Sequence, residues 1–151
     1  MVNFFLFFFC LAVFVVFYSY VLFPMILGFL ANGKTFRHAI NESSSSLPAV
    51  SIVISAFNEE RVIGEKLKSI LQSVYPKDKI EILVGSDASN DETENIVRSI
   101  AATDPGIRFI QYGERRGKPS VINDLVREAK NPILILTDAN VMFEPDTIAY
   151  L

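Results

Sequence analysis

The chain opens with an apolar run that is far longer than any later one. Between Val2 and Leu30 only three small or polar residues interrupt the run, and no charged residue occurs. A helix of about 27 such residues exceeds the roughly 30 Å hydrocarbon core of a bilayer, so we expect a membrane-spanning helix that tilts or kinks. Pro24 removes one backbone hydrogen bond and is the expected kink site.

The residues on either side of this run indicate whether it is a retained membrane anchor or a cleaved signal peptide. A signal peptide has a basic start, a short apolar centre and a small-residue cleavage site. Here no basic residue precedes the run and the run is too long, so we predict an uncleaved anchor over residues 1–31. Lys34 and Arg37 follow the run. The positive-inside rule therefore predicts that the N-terminus lies outside and that the soluble part of the chain lies on the cytoplasmic face.

Beyond the anchor, the pattern changes to short alternating elements. Residues 32–47 are polar and Ser-rich and precede a proline, which predicts a juxtamembrane linker. The later segments are predicted as strands at 50–55, 80–86, 107–111 and 133–137, and as helices at 59–73, 92–102 and 120–129. Because the strands are apolar on both faces, we predict an α/β fold with a parallel sheet covered by helices on both sides.

Composition and charge narrow the class of protein. All 14 basic and all 17 acidic residues follow residue 31, so an apolar segment is joined to a segment of ordinary soluble composition. The net charge of −3 and the mixed signs leave no basic stripe, which argues against a nucleic-acid partner. The single cysteine, Cys10, excludes a disulfide framework and a cysteine-based metal site.

Ligands of parallel α/β sheets bind beyond the carboxyl ends of the strands, and three of these ends carry carboxylates. Residues 56–60 follow the first strand, residues 87–91 the second, and Asp138 the fourth. Asp138 and Asn140 place two oxygens at i and i+2, which share one side of an extended backbone and could both reach Mg²⁺ or Mn²⁺. Such an ion would offset charge on a diphosphate leaving group. The alternative is an aspartate that caps a loop.

The other rim residues each have a structural alternative. Asp87 could accept hydrogen bonds from a ribose or a base edge, or it could form an Asx-type turn. Glu59 could border a ligand, or its negative charge could simply stabilise the start of the predicted helix. Lys118, in the basic turn Arg115–Pro119, suits a phosphate at a helix N-terminus, although a basic surface turn has the same sequence. The dinucleotide fingerprint GxGxxG and the P-loop are both absent from the sequence.

Four segments, taken in order, resemble the start of the family 2 glycosyltransferases, most closely the membrane-anchored, cellulose-synthase-like branch. They are VSIVISAFNEE, EILVGSDASNDET, ERRGKPSVIN and ILILTDANVMFEP. The resemblance covers about residues 48–151. It implies the N-terminal, donor-binding part of a GT-A domain, a Rossmann-like fold with a mainly parallel sheet, and a nucleotide-sugar donor that is usually a UDP-sugar.

The resemblance also assigns roles to particular residues. The residues that would lie at the nucleotide or its sugar are Ala56, Phe57, Glu59, Asp87, Gly117, Lys118 and Asp138. Asp138 and Asn140 would form the family's DxD metal site for Mg²⁺ or Mn²⁺. Asn140 departs from the second acid of that motif, so one negative charge near the metal is missing. Ser55 stands where the family usually has proline, a smaller change of backbone restraint.

The resemblance leaves the catalytic base unassigned. An inverting transfer to a glycan or lipid acceptor, as in polysaccharide biosynthesis, needs a base for the acceptor proton, and no rim loop offers one before Leu151. We therefore expect the N-terminal portion of an enzyme whose later half would supply the acceptor site. The alternative is a non-catalytic or decayed membrane-bound fragment that binds a nucleotide sugar. A signalling receiver domain is disfavoured, because the third strand ends in Gln111-Tyr112-Gly113 without an aspartate.

Overall fold

The computed structural model describes residues 2–31 and 47–151. The apolar helix and the α/β domain belong to separate compact units, and each is described by itself. The basic flank at Lys34 and Arg37, and the predicted linker up to residue 46, lie outside the described residues.

The apolar run forms one helix of 30 residues, Val2–Ala31, with a mean hydropathy of 2.5. It consists of α1 (Val2–Phe17), a π-helical turn (Tyr18–Leu22) and α2 (Phe23–Ala31). The π-helical turn ends two residues before Pro24, which has no N–H to donate to the turn before it. The irregularity expected at Pro24 is therefore a widened helical turn. By length and composition, this helix is able to cross a membrane.

The α/β domain alternates strands and helices as the sequence pattern predicts. Its elements are β1 (Val50–Ala56), α3 (Ile63–Leu71), β2 (Ile80–Ser86), α4 (Thr93–Ala101), β3 (Ile107–Gln111), α5 (Lys118–Glu128), β4 (Ile133–Thr137) and the single turn α6 (Thr147–Tyr150). The prediction that the first helix begins at Glu59 is wrong by four residues. The N–H groups of Glu59 and Glu60 donate to side chains of Thr93 and Asp91 instead, which holds this segment as a turn.

The four strands form one parallel sheet in the order β3-β2-β1-β4. The chain first moves outward from β1 to β2 and β3, and then returns to place β4 on the other side of β1. The strand order therefore reverses between β1 and β4. In open α/β sheets, the crevice at the carboxyl ends of two such strands is the usual position of a ligand.

Helices cover both faces of the sheet, as predicted. On one face, Ile52 and Ile54 of β1 pack with buried residues of α3 and α4. On the other face, Val53 packs with Val121 and Leu125 of α5. Strand β4 departs from the prediction of full burial on both faces. Its apolar side chains at positions 133, 134 and 136 are exposed, because α5 packs on β1 and β2 and no other described element covers that part of β4.

Candidate functional site

A cavity of about 300 Å³ opens where the carboxyl ends of β1 and β4 meet. Four segments that are distant in the chain line it. The lining residues are Ser55, Phe57, Glu59, Asp87, Arg115, Gly117, Lys118, Asp138, Ala139 and Asn140. All the site residues predicted from the sequence, except Ala56, thus lie around one space.

Ala56 is fully buried and belongs to the core below this cavity. Side chains alternate between the faces of a strand, so its neighbours Ser55 and Phe57 line the cavity whereas Ala56 packs with Ile54 and the α3 side of the sheet. Its backbone carbonyl accepts the N–H of Asp87 at 2.9 Å. Ala56 therefore contributes to the site by joining the ends of β1 and β2.

Asp87 holds the basic turn in place. The residue is only 3% exposed, and its carboxylate oxygens accept the backbone N–H groups of Arg116 at 2.6 Å and Gly117 at 2.9 Å. Gly117 has φ +83°, a conformation that side chains disfavour, so glycine is needed here. These bonds connect Asp87 to a segment about 30 residues away and do not close a turn of its own loop. Each carboxylate oxygen retains a second lone-pair site for a ligand.

Lys118 and Asp138 form an ion pair across the cavity. Lys118 is the first residue of α5 and Asp138 follows β4, and each side chain is more than half exposed. Ion pairs at this exposure contribute about 0–1 kcal/mol, because water screens the charges. The pair therefore opens at little cost when another charged group enters.

The segment from Asp138 to Val141 is a turn and is not extended. The N–H of Val141 donates to the carbonyl oxygen of Asp138 at 3.3 Å, and Ala139 is 2% exposed at the inner side of the turn. The extended geometry that we assumed for the i, i+2 pair is therefore wrong. Tertiary packing decides the backbone here, yet the turn still brings both Asp138 and Asn140 to the cavity wall.

The donor set at this turn fits a hard divalent cation in part. Asp138 supplies a carboxylate and Asn140 an amide oxygen, which are ligand types that Mg²⁺ and Mn²⁺ accept. In the part of the chain that the structure describes, no group of three or more His, Cys, Asp or Glu residues could hold a metal. A cation at this turn would need phosphate oxygens and water to complete its shell, which is the usual arrangement for Mg²⁺.

Sequence reasoning missed a buried lysine behind this turn. Lys66 of α3 has no exposed surface, and its ammonium donates to Thr137 Oγ1 at 3.0 Å and to the carbonyl oxygen of Val141. Burial lowers the pKa of Lys66 to about 8, and the negative charge of Asp138 partly opposes that change. The signal was present in the sequence, because this lysine occupies a position on the apolar stripe of its helix.

The loops after β1 and β2 are joined by reciprocal hydrogen bonds. Asn58 donates its N–H to Ser89 Oγ at 3.1 Å, and its side-chain oxygen accepts the N–H of Asn90 at 3.0 Å. Asn58 and Ala88 both have positive φ, 55° and 57°. Such values are costly for residues other than glycine and persist where the surroundings hold them in place. The two loops therefore form one rigid edge beside the cavity.

An arginine and an aromatic ring form another part of the cavity wall. The guanidinium of Arg115 lies 3.9 Å from the ring centroid of Phe57. Stacking of this kind is favourable and leaves the N–H groups of the guanidinium free to bind an acceptor. The sequence identified the basic turn, but it did not identify the contact of Arg115 with the loop after β1.

Comparisons with known proteins give a consistent result. The profile of the family described as Glycosyl transferase family 2 matches residues 51–151. Probable glycosyltransferase YdaM of Bacillus subtilis (strain 168) is 34% identical over 113 residues, which are 73% of this chain and 27% of that protein. Beta-monoglucosyldiacylglycerol synthase of Nostoc sp. is 28% identical over 131 residues, which are 83% of this chain and 28% of the synthase.

A solved structure is similar over most of the chain. The mannosyltransferase PcManGT from Pyrobaculum calidifontis, in complex with GDP-Man and Mn²⁺, matches with a TM-score of 0.71 and 30% sequence identity. The match covers 90% of this chain and 41% of that one. The chain thus spans between about a quarter and two fifths of the length of these relatives.

Proposed function

Because this chain belongs to glycosyltransferase family 2 and its α/β domain has the GT-A-like fold, we propose that the cavity between β1 and β4 binds a nucleoside diphosphate sugar. One observation carries the proposal. Lys118 and the start of α5 face Asp138 and Asn140 across a cavity of about 300 Å³. A diphosphate needs positive charge on one side and a cation held by oxygens on the other, and this arrangement offers both.

The geometry supports a role for each of these residues. The exposed ammonium of Lys118 exchanges Asp138 for a phosphate oxygen when the donor enters, since the existing ion pair is weak. Asp87 and Phe57 border the nucleoside, and Asp87 also keeps the basic turn at the distance that the phosphates need. Glu59 lies at the same wall, next to the edge formed by the two joined loops.

Asp138 and Asn140 would hold a divalent cation, Mg²⁺ or Mn²⁺. Such a cation offsets the charge that develops on the nucleoside diphosphate as it leaves. The Mn²⁺ in the complex of the Pyrobaculum mannosyltransferase supports this role. Because Asn140 carries no charge, we expect weaker metal binding than at a pair of carboxylates, and stronger binding when the diphosphate is present.

The reaction that we propose is inverting transfer of the sugar to a glycan or lipid acceptor. The names of relatives include a beta-monoglucosyldiacylglycerol synthase and a poly-beta-1,6-N-acetyl-D-glucosamine synthase, which supports acceptors of these classes. The helix Val2–Ala31 would anchor the protein in the membrane that contains such lipids. With Lys34 and Arg37 on the inner side, the domain would face the cytoplasm.

Two nucleotides are candidates for the donor of this chain. Resemblance to the family favours a UDP-sugar, whereas the solved mannosyltransferase relative binds GDP-Man. Isothermal titration of the full chain in detergent micelles with UDP and with GDP, each with and without Mn²⁺, separates the two. The nucleotide with the tighter Mn²⁺-dependent binding identifies the donor class.

Variants of single residues test the site itself. We expect Asp138→Ala to abolish the Mn²⁺-dependent part of nucleotide binding, because it removes the one carboxylate of the turn. Asp78→Ala, at an exposed aspartate of the same domain outside the cavity, is the matched control and should bind like the wild type. The proposal fails if the wild type binds neither nucleotide, or if Asp138→Ala binds as well as Asp78→Ala.

A further inference from the structure

Lys66 occupies a position that an apolar residue would normally fill. It lies on α3 beside Leu67 and one turn from Ile63 and Ile70, and all four residues are fully buried. An ammonium group in such surroundings is costly unless each of its N–H groups has a partner. The contacts of Lys66 therefore show what this charge does for the fold.

The partners of Lys66 lie on both sides of the turn that contains Asp138 and Asn140. Its ammonium donates to Thr137 Oγ1, just before the turn, at 3.0 Å and to the carbonyl oxygen of Val141, at the end of the turn. The ammonium also lies 3.6 Å from the ring centroid of Phe143, a favourable cation–π contact. One buried group thus connects the end of β4 to the segment that leaves the turn.

The other contacts at the turn are exposed or lie beyond it: Asp138 pairs with Lys118 across the cavity, and the N–H of Phe143 donates to Ser69 Oγ at 3.2 Å. The turn's own backbone bond, from the N–H of Val141 to the carbonyl oxygen of Asp138, is long at 3.3 Å. Ala139 is buried in the turn, whereas its neighbours Asp138 and Asn140 are exposed. Without the ammonium, the Val141 carbonyl would lose its donor from Lys66, which favours a different backbone conformation.

We propose that Lys66 is a positioning residue that clamps residues 137–141 from behind and so directs Asp138 and Asn140 toward the cavity. This inference rests on the proposed function, in which these two residues bind a cation and a diphosphate. Positioning is especially important at this turn, because the amide oxygen of Asn140 carries no net charge and attracts a cation only when its dipole is directed at it. Groups that orient the ligands of a metal change its affinity by about 10- to 100-fold.

The test compares two substitutions in the full chain in detergent micelles. Lys66→Met keeps the length and the apolar stem but removes the ammonium. Leu67→Ala, at the adjacent buried position of α3, is the control for general loss of packing. Hydrogen exchange followed by mass spectrometry measures how fast the backbone amides of residues 137–143 exchange. The electron paramagnetic resonance signal of free Mn²⁺ measures metal binding in the presence of nucleotide.

We expect Lys66→Met to speed exchange at residues 137–143 and to weaken Mn²⁺ binding by about 10- to 100-fold. Leu67→Ala should lower thermal stability but change Mn²⁺ affinity by no more than about twofold, as for independent sites. If Lys66→Met does not fold, Thr137→Val removes one acceptor of the clamp and should shift both readouts in the same direction.

Two results would overturn the inference. The first is a wild-type rate of hydrogen exchange at residues 137–143 in Lys66→Met. If Lys66→Met does not fold, the same result in Thr137→Val counts against the inference. The other is a loss of Mn²⁺ affinity in Leu67→Ala as large as in the clamp variant. If the wild type binds no metal and no nucleotide, the proposed function fails and the positioning role toward the ligands fails with it. The exchange data then still show whether Lys66 holds the turn.

Discussion

Gly85 of β2 allows α5 to lie close to the sheet, and substitution by alanine tests how firmly this packing sets the site. A Cβ atom at this position would meet Val121 Cγ1 at 2.6 Å, Leu125 Cδ1 at 3.2 Å and Tyr112 Cε2 at 3.3 Å. Ordinary contacts begin at 3.4 Å, so the Val121 side of α5 must retreat by about 0.8 Å, the difference between 3.4 and 2.6. Because α5 begins at Lys118, this shift reaches the cavity.

The expected cost follows from the tightness of the contact. Overpacking of a well-filled core by one methyl group lowers the free energy of unfolding by about 1–3 kcal/mol, and we expect Gly85→Ala to lie in this range. Val121→Ala removes the closest atom, so the double variant should be more stable than the sum of the two single effects by about 0.5–3 kcal/mol. Gly113→Ala, where no atom lies within 4 Å of the added Cβ, should change stability by less than about 0.5 kcal/mol.

Urea unfolding of the full chain in mild detergent measures these differences. Near-ultraviolet circular dichroism follows Tyr75 and Tyr112 of the α/β domain, above a contribution from Tyr18 and Tyr20 of the apolar helix, and the sequence contains no tryptophan. If Gly85→Ala is as stable as Gly113→Ala, or if the effects of Gly85→Ala and Val121→Ala simply add, the close approach of α5 to β2 does not limit packing and our reasoning is refuted.

Three further predictions concern the cavity and the group behind it. Asn140→Asp should tighten Mn²⁺ binding by about tenfold, since ligand charge sets affinity at such sites, and unchanged paramagnetic resonance titrations would show that residue 140 does not reach the cation. Asp87→Asn loses one of the two oxygens that accept the N–H groups of Arg116 and Gly117. This change should weaken the attachment of the basic turn to residue 87 by about 1–3 kcal/mol. Hydrogen exchange at residues 115–118 should rise, and calorimetry should show weaker nucleotide binding. Lys66 has a folded-state pKa of about 8, below its ordinary value of 10.5, so between these pH values the unfolded chain binds more protons and stability should rise with pH. The unfolding free energy of Lys66→Met should lack this rise, and parallel curves for the two proteins would contradict it.

Local pattern was sufficient to predict the strands and the class of the fold. The bounds predicted for β2, β3 and β4 are those of the structure, and β1 differs by one residue. Apolar runs and helical periodicity report which side chains must leave water, and that requirement acts on neighbouring residues of the chain. The site residues after β1, β2 and β4 were predictable for a related reason, because parallel strands bring their carboxyl ends to one edge.

The errors arise where distant residues control local geometry. We predicted an extended backbone at Asp138, because a two-residue spacing cannot reveal a distant contact. Lys66 holds this segment from behind, and its two acceptors lie 71 and 75 residues further along the chain. The side chain of Ala56 faces the core, because residues of α3 pack on its side of β1, and its assignment to the nucleotide stays a prediction. Glu59 was placed in a helix, whereas side chains of the next loop bind its backbone.

The sequence alone thus determined that an apolar helix precedes a parallel α/β domain, and which loops carry carboxylates and basic groups. These properties depend on composition and on periodicity, which are local. Only the tertiary structure decided that the strand order reverses between β1 and β4, that Asp87 holds the turn at Gly117, and that a buried Lys66 supports the turn at Asp138. Each of these is a contact between segments about 30 or more residues apart, formed by packing energy that no local pattern records.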